Sequence, residues 1–294
     1  MKNKLKHIYE NNYKVLLLIP FVLLILAFVQ IGLQTAITGD FVNKGVTLKG
    51  GSTITINKEI AILPNELELT LQSNFPKADL NVRTITSAGK VVGIAIDSDA
   101  QENNEISALT SLLKKELSLT ENDYNIEVMG SSLGNSFFKQ TFAALIIAFI
   151  LMGIVVLIYF RTIIPSLAVI LAAFSDIVVT LAIFNLTGMK LSTAGIAAFL
   201  MLIGYSVDTD ILLSSRLLKR KEGTVMERIY GAMRTGLTMS TTTLVAIFTA
   251  IIFVESEIVK QIMIILFIGL LVDLVMTWIQ NVGVLRMYLE KKTK

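Results

Sequence analysis

Apolar and polar residues are arranged along this chain in blocks rather than in one repeating period. Long apolar runs lie at about 15–34, 138–160, 163–186, 191–217, 234–254 and 259–283. At 1.5 Å per residue, about 20 such residues cross the ~30 Å hydrocarbon layer as a helix, so the pattern predicts six membrane spans. Between the first and second run the pattern changes character. A β-branched run at Ser52 to Ile56 is followed by a helical stretch near Pro64 to Asn74, whose Leu67, Leu69 and Leu71 make a ragged apolar face. Two strands follow, Asn81 to Thr86 and Val91 to Ile96, with Ser87-Ala88-Gly89-Lys90 as the hairpin turn between them. Ile106, Leu109, Leu112, Leu113 and Leu117 then recur at helical spacing, and Tyr124 to Val128 reads as a last strand. The order βαββαβ is that of a ferredoxin-like α+β unit, a superfold that argues for architecture and not for function. The expected organisation is a tail and first span over 1–34, this domain over 35–137, and spans two to six over 138–294. A charged loop at 216–233 and a polar C-terminal tail complete it.

Composition narrows the chemistry. The 294 residues are 53% hydrophobic and 17% charged, as an integral membrane protein requires. There is no cysteine, and the one histidine, His7, lies in the basic N-terminal tail. Disulfides, thiolate or histidine metal sites, a Ser-His-Asp triad and an intramembrane histidine switch are thereby excluded. No metal, no cofactor and no enzymatic activity are expected. The net charge of +3 needs no nucleic acid, because the basic residues cluster just outside the apolar runs.

That clustering also orients the chain, since Lys and Arg near span ends accumulate on the cytoplasmic side. The N-terminal Lys2, Lys4, Lys6 and Lys14, the turn at Arg161, the loop with Arg216, Lys219, Arg220, Lys221 and Arg228, and Lys291, Lys292 and Lys294 all fall on one side of six alternating spans. Both termini are then cytoplasmic in a multi-pass cell-membrane protein, and residues 35–137 are extracytoplasmic. The first apolar run exceeds the roughly 7 to 15 residues of a signal-peptide core and reads as a retained anchor.

Within the fourth span, Gly204-Tyr205-Ser206-Val207-Asp208-Thr209-Asp210 places two carboxylates where an ionised one costs roughly 2.5 to 3.5 kcal/mol, so each must face protein or water, or carry a proton. A group that exchanges those states can carry protons. Residues two apart point about 200° from each other on a helix, so the two do not easily share one site. Asp208 shares a stripe with Gly204 and Met201, where a small residue lets another helix approach; Asp210 faces elsewhere. Further intramembrane acids are Asp176 and Asp273. Arg234, at the cytoplasmic start of the fifth span, is the leading ion-pair partner for a buried acid, or else an ordinary positive-inside anchor. Gly45 to Ser52 has the glycine spacing of a phosphate loop but carries Gly51 where the lysine belongs, so the glycines are better read as a close turn into the first strand.

These residues carry a resemblance. The Gly-x-x-Leu-x-Gly-Gly pattern of Gly45, Leu48, Gly50 and Gly51, the Ser175-Asp176-Ile-Val-Val-Thr-Leu segment, and Gly204-Tyr205-Ser206-Val207-Asp208 resemble the SecF protein-export family, of archaeal type, in the resistance-nodulation-division superfamily. The resemblance covers nearly the whole chain. It implies a heteromeric complex with SecD, which assists the Sec translocon (SecY complex) in moving a translocating preprotein outward, driven by the proton or sodium motive force. It nominates Asp208 first as the relay group without excluding Asp210, and adds Asp176 and an Arg-Thr pair at Arg234-Thr235. Bacterial members have Asn-Asp at Asp208-Thr209, an Asp-Arg pair at Ser215-Arg216 and commonly Asp at Thr47. The carboxylate is therefore displaced by one position here. Asp273 has no support from the resemblance.

Two smaller expectations remain. Lys219 to Met233, with Val225, Met226 and Ile229 at helical spacing among charges, reads as a short interfacial helix touching membrane lipids. The rival function classes are a small-molecule or lipid exporter, which the modest outer domain disfavours, and a passive scaffold in which the aspartates only specify helix packing.

Overall fold

The computed structural model describes residues 7, 9–58, 64–87, 90–219, 222–254 and 256–293. Lys2, Lys4, Lys6, Ala88, Gly89, Arg220, Lys221 and Lys294 lie outside them. Six helices are long and apolar enough to cross a membrane. They are α1 (Tyr13–Thr38), α5 (Ser131–Phe160), α6 (Ile163–Leu186), α7 (Thr193–Lys219), α8 (Val225–Phe253) and α9 (Ile258–Lys291). Between α1 and α5 come a single helical turn, α2 (Val46–Lys49), then β1 (Gly51–Ile56), α3 (Pro64–Asn74), β2 (Asn81–Ser87), β3 (Lys90–Ser98), α4 (Asn103–Leu117) and β4 (Tyr124–Met129).

The strands form one antiparallel sheet in the order β2-β3-β1-β4. One face buries Ile54, Ile56, Val82, Ile94 and Ile96 against Leu67 and Leu71 of α3 and Leu109 and Leu113 of α4. Each fully buried leucine there contributes about 1.5–3 kcal/mol relative to exposure. The ragged face of α3 resolves by helical geometry: Leu67 and Leu71, one turn apart, point inward, while Leu69 is 67% exposed.

The six long helices differ in burial. α6, α7 and α9 form an inner group, whereas α1, α5 and α8 present most of their apolar surface outward. Buried Ala168, Ala172, Ala173, Ser175 and Ala182 give α6 a small-residue surface that lets its neighbours come close. On α8, Gly236 has the same use: an added Cβ would collide with the Trp278 ring of α9.

One expectation is corrected. The segment 219–233 does not form a separate interfacial helix. α7 continues through Lys219, and α8 starts at Val225 behind a capping box in which Thr224 and Glu227 satisfy each other's backbone N–H groups. Val225, Met226 and Ile229 are simply the apolar stripe of the first turns of α8, packed near Leu213, Leu217 and Leu285. α5 begins at Ser131, before its apolar run, and at 30 residues is about 45 Å long, more than the ~30 Å hydrocarbon layer needs.

α9 contains a π-helical turn, Met276–Asn281. Beside it the N-terminal segment folds back: the Tyr9 hydroxyl donates to the Trp278 carbonyl at 2.8 Å, and Tyr13 donates to Glu290 Oε2 at 2.6 Å. Arg286 donates to the Tyr9 and Glu10 carbonyls at 3.0 and 2.8 Å.

Candidate functional site

Three carboxylates meet inside the inner helix group: Asp176 from α6, Asp210 from α7 and Asp273 from α9, each 0% exposed. Asp176 faces Asp273 and accepts a hydrogen bond at Oδ2 from the Ser206 hydroxyl. Thr277 Oγ1 lies 3.0 Å from Asp210 Oδ1 and 2.9 Å from Asp273 Oδ1, joining the second and third acids. Asn281 Nδ2 donates to Asp210 Oδ1 at 2.7 Å, and Gln280 Nε2 donates to Ser175 Oγ at 3.1 Å. The π turn of α9 therefore supplies Thr277, Gln280 and Asn281 together, in keeping with the tendency of such turns to occur at functional sites.

The electrostatics are one-sided. Among the described residues no lysine or arginine forms an ion pair with these acids. Asp176 Oδ1, Asp210 Oδ2, Asp273 Oδ2, Gln280 Oε1 and Asn281 Oδ1 are buried acceptors without a hydrogen-bond partner among the described residues. Among the described residues no three acid or histidine side chains are placed to hold a metal ion.

The sequence-nominated residues divide between two places. Asp176, Ser206 and Asp210 belong to the buried cluster. Asp208 is exposed, on the outer face of α7 with Gly204 and Tyr205, and a Cβ added at Gly204 would meet nothing within 4 Å. Arg234 is exposed near the start of α8 and pairs with neither aspartate. The geometric expectation that Asp208 and Asp210 diverge holds, and it is Asp210, not the first-nominated Asp208, that meets the other acids.

Gly45, Gly50 and Gly51 are points of close approach. A Cβ at Gly45 would lie 3.1 Å from the Leu191 carbonyl oxygen, one at Gly50 2.5 Å from Ser131 Cα, and one at Gly51 would strike the Ser98 carbonyl. Gly50 and Gly51 also have φ of +91° and +139°, which a side chain disfavours. Gly50 seats the end of α2 against the start of α5, where Gly134 reciprocates with a would-be Cβ 2.7 Å from Gly50 N.

Sequence reasoning named Asp273 only as a further intramembrane acid without support from the resemblance, and passed over Thr277, Gln280 and Asn281. A signal for them exists: Asp273, Thr277 and Asn281 recur at i, i+4, i+8 in an otherwise apolar span, which puts three polar groups on one helix face.

Residues 109–291 match the family described as Protein export membrane protein SecD/SecF, C-terminal. Over 292 residues the chain is 38% identical to the protein-export membrane protein SecF of Pyrococcus furiosus, covering 99% of this chain and 96% of that one. The chain belongs to the SecF family. A second SecF, from Methanothermobacter thermautotrophicus, is 37% identical over 96% of this chain and 95% of its own length. The SecF fold is also found in solved structures. The crystal structure of SecDF from Thermus thermophilus, a translocon-associated membrane protein, superposes with a TM-score of 0.75 at 18% identity. It covers 96% of this chain, which spans only 38% of the SecDF chain. A SecDF structure in a super-membrane-facing form gives a TM-score of 0.58 at 19% identity. This SecF-family chain is a multi-pass membrane protein.

Proposed function

We propose that this chain is the SecF subunit of a SecD–SecF complex that assists Sec-dependent translocation of preproteins, drawing on the proton or sodium motive force through its intramembrane carboxylates. The reading rests on one observation, the bridge at Thr277. A hydroxyl has one proton to give, so contacts of 3.0 and 2.9 Å to Asp210 and Asp273 are both hydrogen bonds only when one of those carboxyls carries a proton. A site that needs a proton to satisfy its own geometry, with further acceptors unsatisfied around it, is built to take up and release a cation. One charge crossing about 100 mV yields roughly 2.3 kcal/mol, so no nucleotide is required.

In this mechanism Asp210, Asp176 and Asp273 are the relay. Uptake from outside completes the hydrogen bonds of the cluster; release to the cytoplasm leaves facing carboxylates that repel, and α6, α7 and α9 repack. Asp208 and Arg234 take a different part. An exposed carboxylate one turn from Gly204, which has nothing above it, and an exposed guanidinium on α8 fit surfaces on which SecD packs. The family likeness and the 38% share of the longer SecDF chain support such a partner. The positive-inside pattern supports cytoplasmic termini and an extracytoplasmic 35–137 unit, and the strand order β2-β3-β1-β4 supports reading that unit as ferredoxin-like.

The test is preprotein export in membranes carrying the native SecD and translocon, with and without an imposed ion gradient, at equal complex abundance. Asp210→Asn is expected to lose the stimulation by the gradient, while Asp208→Asn keeps it wherever the complex still assembles. A wild type that does not respond to either a proton or a sodium gradient turns the reading toward a scaffold.

A further inference from the structure

The turn joining α6 to α7 is held by more contacts than a connection of six residues needs. Leu191 N donates to the Asn43 carbonyl at 2.6 Å and the Gly45 N–H donates to the Leu191 carbonyl at 2.8 Å, so the chain leading into the outer domain lies alongside this turn as a short parallel bridge. The Leu191 side chain is buried in one core with Val42 and Leu48. Lys190 Nζ pairs with Asp79 Oδ1 at 2.8 Å, just before β2, and Lys49 reaches the other oxygen of the same carboxylate at 3.5 Å. From beneath, Gln261 of α9 donates to the Lys190 carbonyl at 2.7 Å and accepts from the Ser192 N–H at 3.1 Å and from its hydroxyl. Ser192 Oγ in turn accepts from Gly195 N at 3.2 Å in the first turn of α7. A polar cavity of about 310 Å³ opens beside this point, between Asp40, Lys44, Asp79 and Lys190.

Three elements thus converge on residues 188–192: the ends of α6 and α7, the first turn of α9, and the outer domain. Those three helices are the ones that carry Asp176, Asp210 and Asp273. At 1.5 Å per residue the turn stands about 15 Å along α6 from Asp176, and Gln261 about 18 Å along α9 from Asp273. Helices are stiff over such lengths, so a displacement at the cluster arrives at the turn as a displacement of its ends. The covalent links of the outer domain run instead through α1 and α5, which stand outside the inner group.

We propose that the α6–α7 turn is the clasp through which the state of the acid cluster reaches the outer domain, with Lys190 and Gln261 as positioning residues and the Lys190–Asp79 pair as its outer grip. The inference rests on the ion-coupled reading above and adds where the motion leaves the membrane. The outer domain answers the cluster because it is fastened to the helices that hold the acids.

Two measurements on the full complex test it. In the export assay, Lys190→Ala and Asp79→Ala are expected to lose the stimulation by the ion gradient at normal complex abundance, and the exchanged pair Asp79→Lys with Lys190→Asp to regain it. A merely structural loss would not return with the exchange. Wild-type stimulation in both single variants overturns the clasp, and failure of the exchanged pair to recover any stimulation assigns the losses to structure and overturns it too. Separately, hydrogen exchange at the Gly45 and Leu191 amides is compared between wild type and Asp210→Asn. The clasp requires a several-fold change at these two amides with the β1–β3 amides unchanged; equal rates overturn it. Because this second measurement needs no export, a wild type without gradient response defeats the coupled reading while the exchange data still judge the clasp.

Discussion

Asp208 and Asp210 stand two residues apart on α7 and live in different surroundings. Asp210 is sealed among Thr277, Asn281 and two further acids; Asp208 lies on the open flank of the same helix, level with a bare glycine. The contrast extends along the helix, because Leu202, Ile203 and Ser206 share the closed side while Leu200, Met201 and Tyr205 share the open one. One helix therefore has two unlike sides, its inner side closing the acid cluster of this chain and its outer side uncovered. Both sides are apolar enough for lipid, so the polar residues alone reveal that they differ.

The sharpest way to break the comparison is to add the same bulk on each side. Gly236→Leu drives a side chain into the Trp278 ring and is expected to destabilise the bundle by about 1–3 kcal/mol. Gly204→Leu, with nothing to strike, should stay within about 0.5 kcal/mol of wild type yet reduce recovery of SecD with the complex. Thermal unfolding in detergent and co-purification read the two effects; similar stability losses at both glycines would erase the distinction between the flanks. A smaller effect separates hydroxyls. Thr277→Val removes the hydroxyl that donates to one of two buried carboxyls and accepts from the other, and should cost about 1–3 kcal/mol. Thr242→Val, whose hydroxyl bonds only carbonyls of its own exposed helix, should cost little, and equal costs would mean that the cluster is not closed.

The smallest expected effect lies outside the bundle and depends on pH. Burial alone would raise the Asp79 carboxyl, but the hydrogen bond and charge of Lys190, with Lys49 behind them, hold it below its usual 3.8. A depressed carboxyl contributes stability that is present above the ordinary value and lost as pH falls through the depressed one. The grip of the outer domain on Lys190 should therefore be constant from neutral pH down to about 4 and loosen only below that. Hydrogen exchange of β2 against pH checks this, and a transition near pH 6 would count against Asp79 as the responsible group.

Much of the architecture was legible because two periods are hard to confuse. The strands Ser52 to Ile56 and Tyr124 to Val128 and the helix carrying Ile106, Leu109 and Leu113 stand within a residue or two of where alternation and helical spacing put them. The segment 219–233 misled because an amphipathic stretch beside an apolar one looks like a separate element, although nothing in the sequence breaks the helix after Thr224. The site was half legible. Helix geometry separated Asp208 from Asp210, but it cannot say which points inward when lipid tails are as apolar as a protein core. Asp273 gained its meaning only from neighbours on α6 and α7, distant in sequence and invisible to any local pattern.

The bonds that tie Tyr9 to Trp278, Tyr13 to Glu290 and Arg286 to the Tyr9 and Glu10 carbonyls have a consequence for biosynthesis. They connect residues about 270 positions apart, and those at the far end emerge from the ribosome after every other helix. The first helix can pack earlier on Ala172, Val179 and Ala182 of α6, but Tyr9 and Tyr13 gain these partners only when the last helix arrives. The end of the bundle that carries Tyr9, Trp278 and Arg286 is thus sealed last, and a nascent chain stalled before residue 278 would leave it open.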